Sequence, residues 1–103
     1  MQDTIRGHVD LLLLAALARG PAHGYALADA LKERSGGVFE LAEGTIYPAL
    51  YRLERQGLVA SSWEDGRTRR RRVYRLTRRG RGELAKQQDA WRGFAHAMEA
   101  VLP

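Results

Sequence analysis

Glycine and proline break this chain at Gly20-Pro21, Ser35-Gly36-Gly37, Gly57 and Asp65-Gly66, and the segments between the breaks are short. Such spacing suits brief helices and a hairpin rather than long uninterrupted elements. Pro21 lacks a backbone donor and restricts Gly20, so the apolar run from about His8 to Arg19 is expected to be a helix that ends there. It is apolar nearly all round. Leu11, Leu12, Leu13, Leu14, Ala15 and Leu17 cannot all face one core, so this helix should be covered on two sides. A second helix is predicted from about His23 to Arg34, with Tyr25, Leu27, Ala28 and Leu31 inward and Lys32, Glu33 and Arg34 in solvent. A third, from about Glu43 to Gln56, turns Ile46, Ala49, Leu50 and Leu53 inward and is stopped by Gly57. Thr45, Pro48, Tyr51, Arg52 and Arg55 lie on its outer face, with Tyr47 on the boundary. Pro48 is tolerable if the helix begins near Thr45; a start nearer Ala42 costs one hydrogen bond and bends the helix.

Two strands follow, 58–63 and 71–76, and the Asp65-Gly66 pair between them is a strong hairpin signal. Thr77 is a good N-cap for a last helix that runs to about Leu102, although Gly80 and Gly82 weaken its first turns. The predicted fold is therefore mainly α with a small β-hairpin: a winged helix-turn-helix over residues 1–77 and a C-terminal dimerisation helix over 78–103, one compact domain in all.

With 103 residues the chain has the length of one domain, and a small core gains from a pairing partner that hides more apolar surface. The absence of cysteine excludes disulfides, thiolate metal clusters and cysteine nucleophiles, so nothing calls for an oxidising compartment. The longest apolar stretch, Val9 to Ala18, carries Asp10 and falls well short of the roughly 20 residues a membrane span needs. Asp3 in the leader and the helical pattern that continues past the run argue against a signal peptide. A cytoplasmic protein with no membrane contact is the expectation.

The formal charge of +5 and a pI near 10.2 favour an anionic partner. Nine of the seventeen basic residues fall between Arg67 and Arg81, and on a wing tip their guanidinium groups suit phosphates and the minor groove. The 43–56 helix, about 14 residues and roughly 21 Å long, is sufficient to cross a major groove. The predicted double-stranded DNA contacts are His23, Thr45, Tyr47, Pro48, Tyr51, Arg52, Arg67, Arg69, Arg70 and Arg71: hydroxyls and guanidiniums for bases and phosphates, and the Pro48 ring for a thymine methyl. In the last helix Leu84, Gln87, Trp91, Phe94, Met98 and Val101 form a stripe with alternating steps of three and four. A homodimer interface is predicted from these residues with Leu12 and Leu13 of the first helix. His8, His23 and His96 have no metal-ligand spacing, and the glycines form no phosphate-binding fingerprint. No enzyme, metal or cofactor is expected. The competing reading is a winged-helix interaction module whose basic wing meets an acidic protein partner.

Three segments carry a resemblance that covers most of the chain: Gly20 to Leu27, Glu43 to Val59 with its Gly44-Thr45-Ile46-Tyr47-Pro48-Ala49-Leu50 core, and Arg72 to Gly80. In these the chain resembles the PadR family of transcriptional regulators, in the short form that ends in a single dimerisation helix. The resemblance implies a homodimeric repressor that binds a palindromic operator and is released by a small aromatic effector. It puts Thr45, Tyr47 and Pro48 in the DNA-contacting helix and the wing arginines on phosphates. It also makes Trp91 a candidate to stack on the effector, with plain interface packing as its other role. Two positions depart from the pattern: Ala42 stands where serine is frequent as a helix cap, and Val73 where an aromatic is common.

Overall fold

A computed structural model describes residues 3–66 and 70–103, with side chains from residue 5 onward. A short helix, α1 (Asp3–Arg6), precedes α2 (Val9–Leu17), α3 (Gly24–Arg34) and α4 (Glu43–Arg55). The hairpin is formed by β1 (Val59–Asp65) and β2 (Arg70–Leu76), and α5 (Arg78–Val101) closes the chain. The architecture is the predicted one, mainly helical with one antiparallel hairpin.

Leu13 and Leu14 of α2 are wholly buried and Leu17 nearly so, making this helix the centre of the core. Leu11, Leu12 and Ala15, on its other side, are only partly covered. Leu13 has no surface left to offer a partner, and Leu84 of α5 is also buried in the same cluster. Both lie in the protomer's own core, whereas the sequence reading places them in a dimer interface. Leu27 and Leu31 anchor α3. Tyr25, expected inward with them, is 52% exposed. At 100° per residue it stands about 200° around the helix from Leu27, on the opposite face.

Matched C-terminal stops end α3 and α4. After α4, Gly57 at φ +77° donates to the Glu54 carbonyl, and Leu58 donates to Leu53; after α3, Gly36 at φ +64° and Gly37 do the same to Glu33 and Lys32. Each satisfies carbonyls the helix would leave open, and each needs a left-handed residue that glycine supplies without a Cβ penalty. Ile46, Ala49, Leu50 and Leu53 are buried as the periodicity requires. The helix begins at Glu43, with Ala42 extended and making no side-chain cap. Pro48 therefore sits inside α4 and removes the bond to the Gly44 carbonyl, in an exposed turn.

The strands pair further than predicted, from Val59 opposite Leu76 to Asp65 opposite Arg70. On the free side of β2, Ala22 exchanges two backbone hydrogen bonds with Tyr74, of 3.0 and 2.9 Å, so the residues leading into α3 are fixed to the hairpin. Thr77 joins hairpin, α4 and α5. Its hydroxyl accepts from the Gly80 N–H at 3.0 Å and donates to the Gly57 carbonyl at 2.7 Å. Gly80 lies against the Leu58 carbonyl and the Leu76 side chain, where no Cβ fits. Leu84 completes the core, and beyond it α5 is mostly exposed, in a molecule with extents of 54 × 28 × 20 Å.

Candidate nucleic-acid interface

The inner face of the hairpin continues past its buried end. Val59 and Leu76, then Ser61 and Tyr74, then Trp63 and Arg72 are directly opposite pairs on one side of the pleat. The first belong to the core, while Trp63, Arg72 and Arg70 overhang α4 and enclose a cleft of about 550 Å³ with Tyr47 and Tyr51 of the helix. Tyr74 lines this cleft with no exposed surface of its own, and its hydroxyl has no hydrogen-bond partner among the described residues. Burial, followed by the neighbouring Tyr51 hydroxyl, pushes its pKa up to about 12 against the favourable field of Arg72. The group is a neutral phenol at physiological pH.

Cationic groups ring the opening. The Trp63 ring has the Arg70 and Arg72 guanidiniums each 5.3 Å from its centroid. Arg70 also lies 3.8 Å from Asp65, an exposed pair of little energetic weight. Arg71 has no acidic partner among the described residues, and its Nη1 lies 3.5 Å from His23 Nε2. The Ala22 bridge accounts for that proximity, since it sets His23 beside the strand. His23 occupies the N-cap position of α3 without making a side-chain cap, and its ring stands edge-on to Tyr25 at 6.3 Å. Tyr47 is seated over Gly24, where a Cβ would come within 2.5 Å of its ring.

The structure thus brings together His23, Tyr47, Tyr51, Arg70 and Arg71 of the predicted contacts. Pro48, between the two tyrosines of α4, is exposed, and Thr45, before both, is half-buried. Arg52 is elsewhere: its Nη2 donates to Asp10 of α2 at 2.5 Å, and it does not line the cleft. Arg67 and Arg69 lie outside the described residues. Sequence reasoning missed Tyr25, Trp63, Arg72 and Tyr74. Trp63 and Arg72 were legible in principle, because the hairpin register makes them neighbours once the turn is fixed.

The second predicted surface lies on α5. Trp91, Phe94, Met98 and Val101 are 44%, 58%, 45% and 84% exposed, whereas Gln87 is half-buried and bonded to Glu83 at 3.0 Å. The Trp91 ring stands edge-on to His8, 5.2 Å between centroids, and tilted against Phe94 at 6.2 Å. Among the described residues no helix is long and apolar enough to cross a membrane, and no three metal-ligating side chains group together.

Residues 13–86 match the sequence profile of the transcriptional regulator PadR-like family. The chain is 37% identical over 92 residues to the transcriptional regulator Rv3488 of Mycobacterium tuberculosis, covering 87% of this chain and 81% of that protein. Its fold superimposes on a transcriptional regulator from Clostridium thermocellum with a TM-score of 0.91 and 27% identity, covering 99% of this chain and all of that one. A further similar structure is Bacillus subtilis PadR solved in complex with operator DNA, with a TM-score of 0.72 and 26% identity over 78% of this chain and 47% of that chain.

Proposed function

The chain belongs to the PadR-like family of transcriptional regulators, and from that premise we propose that it is a cytoplasmic, homodimeric repressor that binds a palindromic operator. In this reading residues 1–77 dock on DNA and 78–103 pair two copies. Helix α4 enters the major groove with Thr45, Tyr47, Pro48 and Tyr51, while Arg70, Arg71, His23, Arg67 and Arg69 meet the phosphates. The observation that carries the reading is the convergence of the α4 tyrosines, the wing guanidiniums and His23 on one side of the molecule. The operator complex of the Bacillus subtilis relative supports it. Arg52 has a role only if DNA phosphate outcompetes Asp10 for its guanidinium.

The half-exposed aromatic stripe on α5 supports the pairing. A buried Trp or Phe side chain is worth roughly 2 to 3 kcal/mol relative to an exposed one, a strong incentive to cover Trp91 and Phe94 with the partner's helices. A flat aromatic effector stacked on Trp91 would bind where the two copies meet and alter their spacing, releasing DNA. Selection of duplexes from a randomised pool tests the core of the reading. One enriched two-fold symmetric sequence is expected, with half-sites about one helical turn apart. If roughly 6 to 10 phosphates are neutralised per dimer, affinity falls 10³-fold or more between 50 and 200 mM salt. Failure to enrich any duplex at low salt would refute it.

A further inference from the structure

Glu54 is misplaced for a helix that lies beside a polyanion. It occupies the last turn of α4, where the helix dipole already disfavours a carboxylate, and a nearby phosphate backbone disfavours it again. What it touches accounts for its position. The Ser61 hydroxyl on β1 donates to Glu54 Oε2 at 2.7 Å, and Arg72 Nε on β2 donates to Ser61 Oγ at 2.9 Å. The Arg72 Nη2 reaches Glu54 Oε1 at 3.6 Å, which closes a triangle across α4 and both strands. The two charged side chains are 29% and 37% exposed, so solvent and salt screen the pair less than they do Arg70 with Asp65 at 65% and 91%. The Trp63 ring, 5.3 Å from the Arg72 guanidinium, further restricts it.

We infer that Glu54, Ser61 and Arg72 form a strut that fixes the angle between the wing and α4, and that Glu54 is a positioning residue for duplex binding. This rests on the DNA-binding reading given above. Arg72, although part of the basic run, is used to hold the wing in place and not to neutralise phosphate. The opening of the cleft, and with it the offset of Arg70 and Arg71 from Tyr51, is set by this triangle. Without it the hairpin pivots on its base, where Val59, Tyr74, Leu76 and the Ala22 bridge hold only the half nearer the core.

The test exploits a difference in sign. If Glu54 acts on DNA only through its charge, Glu54→Gln removes repulsion and tightens binding to every duplex. The strut requires the reverse: about tenfold weaker binding to the duplex enriched by the wild-type chain, with less loss on unrelated duplex, hence lower selectivity. Ser61→Ala carries no charge change and should weaken selective binding in the same direction. Combined with Arg72→Ala, Glu54→Gln should add little, and the salt slope of Arg72→Ala should match the wild type instead of falling by about 0.9 for one lost phosphate contact. Exchanging the pair, Glu54→Arg with Arg72→Glu, should recover part of the selectivity at unchanged net charge. Thermal melts identify any variant that is unfolded at the assay temperature, and Ser61→Ala, the mildest, then decides alone. Tighter or unchanged binding by Glu54→Gln with Ser61→Ala at wild-type selectivity would overturn the inference, as would additive effects of Glu54→Gln and Arg72→Ala. A wild-type chain that enriches no duplex removes the DNA-binding reading first and this inference with it.

Discussion

Replacing Tyr74 by phenylalanine tests the interior of the cleft. The ring is fully enclosed and its hydroxyl is unpaired among the described residues, so the folded state bears the desolvation of that hydroxyl with no hydrogen bond in return. Such a group costs about 1 to 3 kcal/mol, and Tyr74→Phe leaves the packed ring in place. The variant should match or exceed the wild type at neutral pH, by about 1 kcal/mol. Alkali enlarges the difference. The folded-state pKa of about 12 stands above the ordinary 10.0, so folding favours the neutral phenol. That contribution is complete below pH 10 and is lost as pH rises toward about 12, because the unfolded chain ionises first. At about 1.4 kcal/mol per pH unit the loss approaches about 3 kcal/mol, and the phenylalanine variant does not share it. Urea denaturation of both proteins across this window measures the gap directly. A variant less stable than wild type at neutral pH, or a gap that stays constant through the window, would mean the hydroxyl is hydrogen-bonded in solution and the reasoning is wrong.

Other substitutions examine the remaining joints. Gly80→Ala gains about 1 kcal/mol of helix propensity but drives a Cβ into the Leu58 backbone carbonyl, so a net loss of roughly 3 kcal/mol is expected in chemical denaturation. Thr77→Val removes both the cap on Gly80 and the bond to Gly57 and should cost about 1 to 3 kcal/mol, with Thr77→Ser close to wild type. Gly24→Ala should displace Tyr47 and weaken duplex binding several-fold in gel-shift titrations while the melting temperature changes little, because the obstructing atoms are the far end of a side chain. Phe94→Ser should weaken self-association about tenfold or more in sedimentation equilibrium without unfolding the protomer, since the ring is 58% exposed there.

Much of this architecture can be read from residue order. Ile46, Ala49, Leu50 and Leu53 repeat with the helical period, Gly57 follows them, and both features act within one segment. Thr77 was equally legible, because a cap needs only the next three residues. What residue order leaves out depends on contacts distant along the chain. Arg52 is an outward arginine by periodicity, yet its partner Asp10 lies 42 residues away. Leu13 and Leu84 lie in the core cluster, and no local pattern tells one protomer's core from the seam between two. Tyr25 differs: its apolar ring suits a core, and only its angle around α3 shows that it stands opposite Leu27. Helix α1, four residues long, is too short to show a period at all.

The bridge between Ala22 and Tyr74 also bears on solubility. An unprotected outer strand invites another molecule to continue the sheet, the usual first step in strand-to-strand aggregation. On β2 the inner part of that border is already taken by Ala22, and the part beyond it carries Arg70, Arg71 and Arg72, which repel a second copy. Neutralising those arginines to probe DNA contact would therefore unblock a sticky border as well, and weakened binding in such a variant has to be separated from clumping by light scattering before it is credited to lost phosphate contacts.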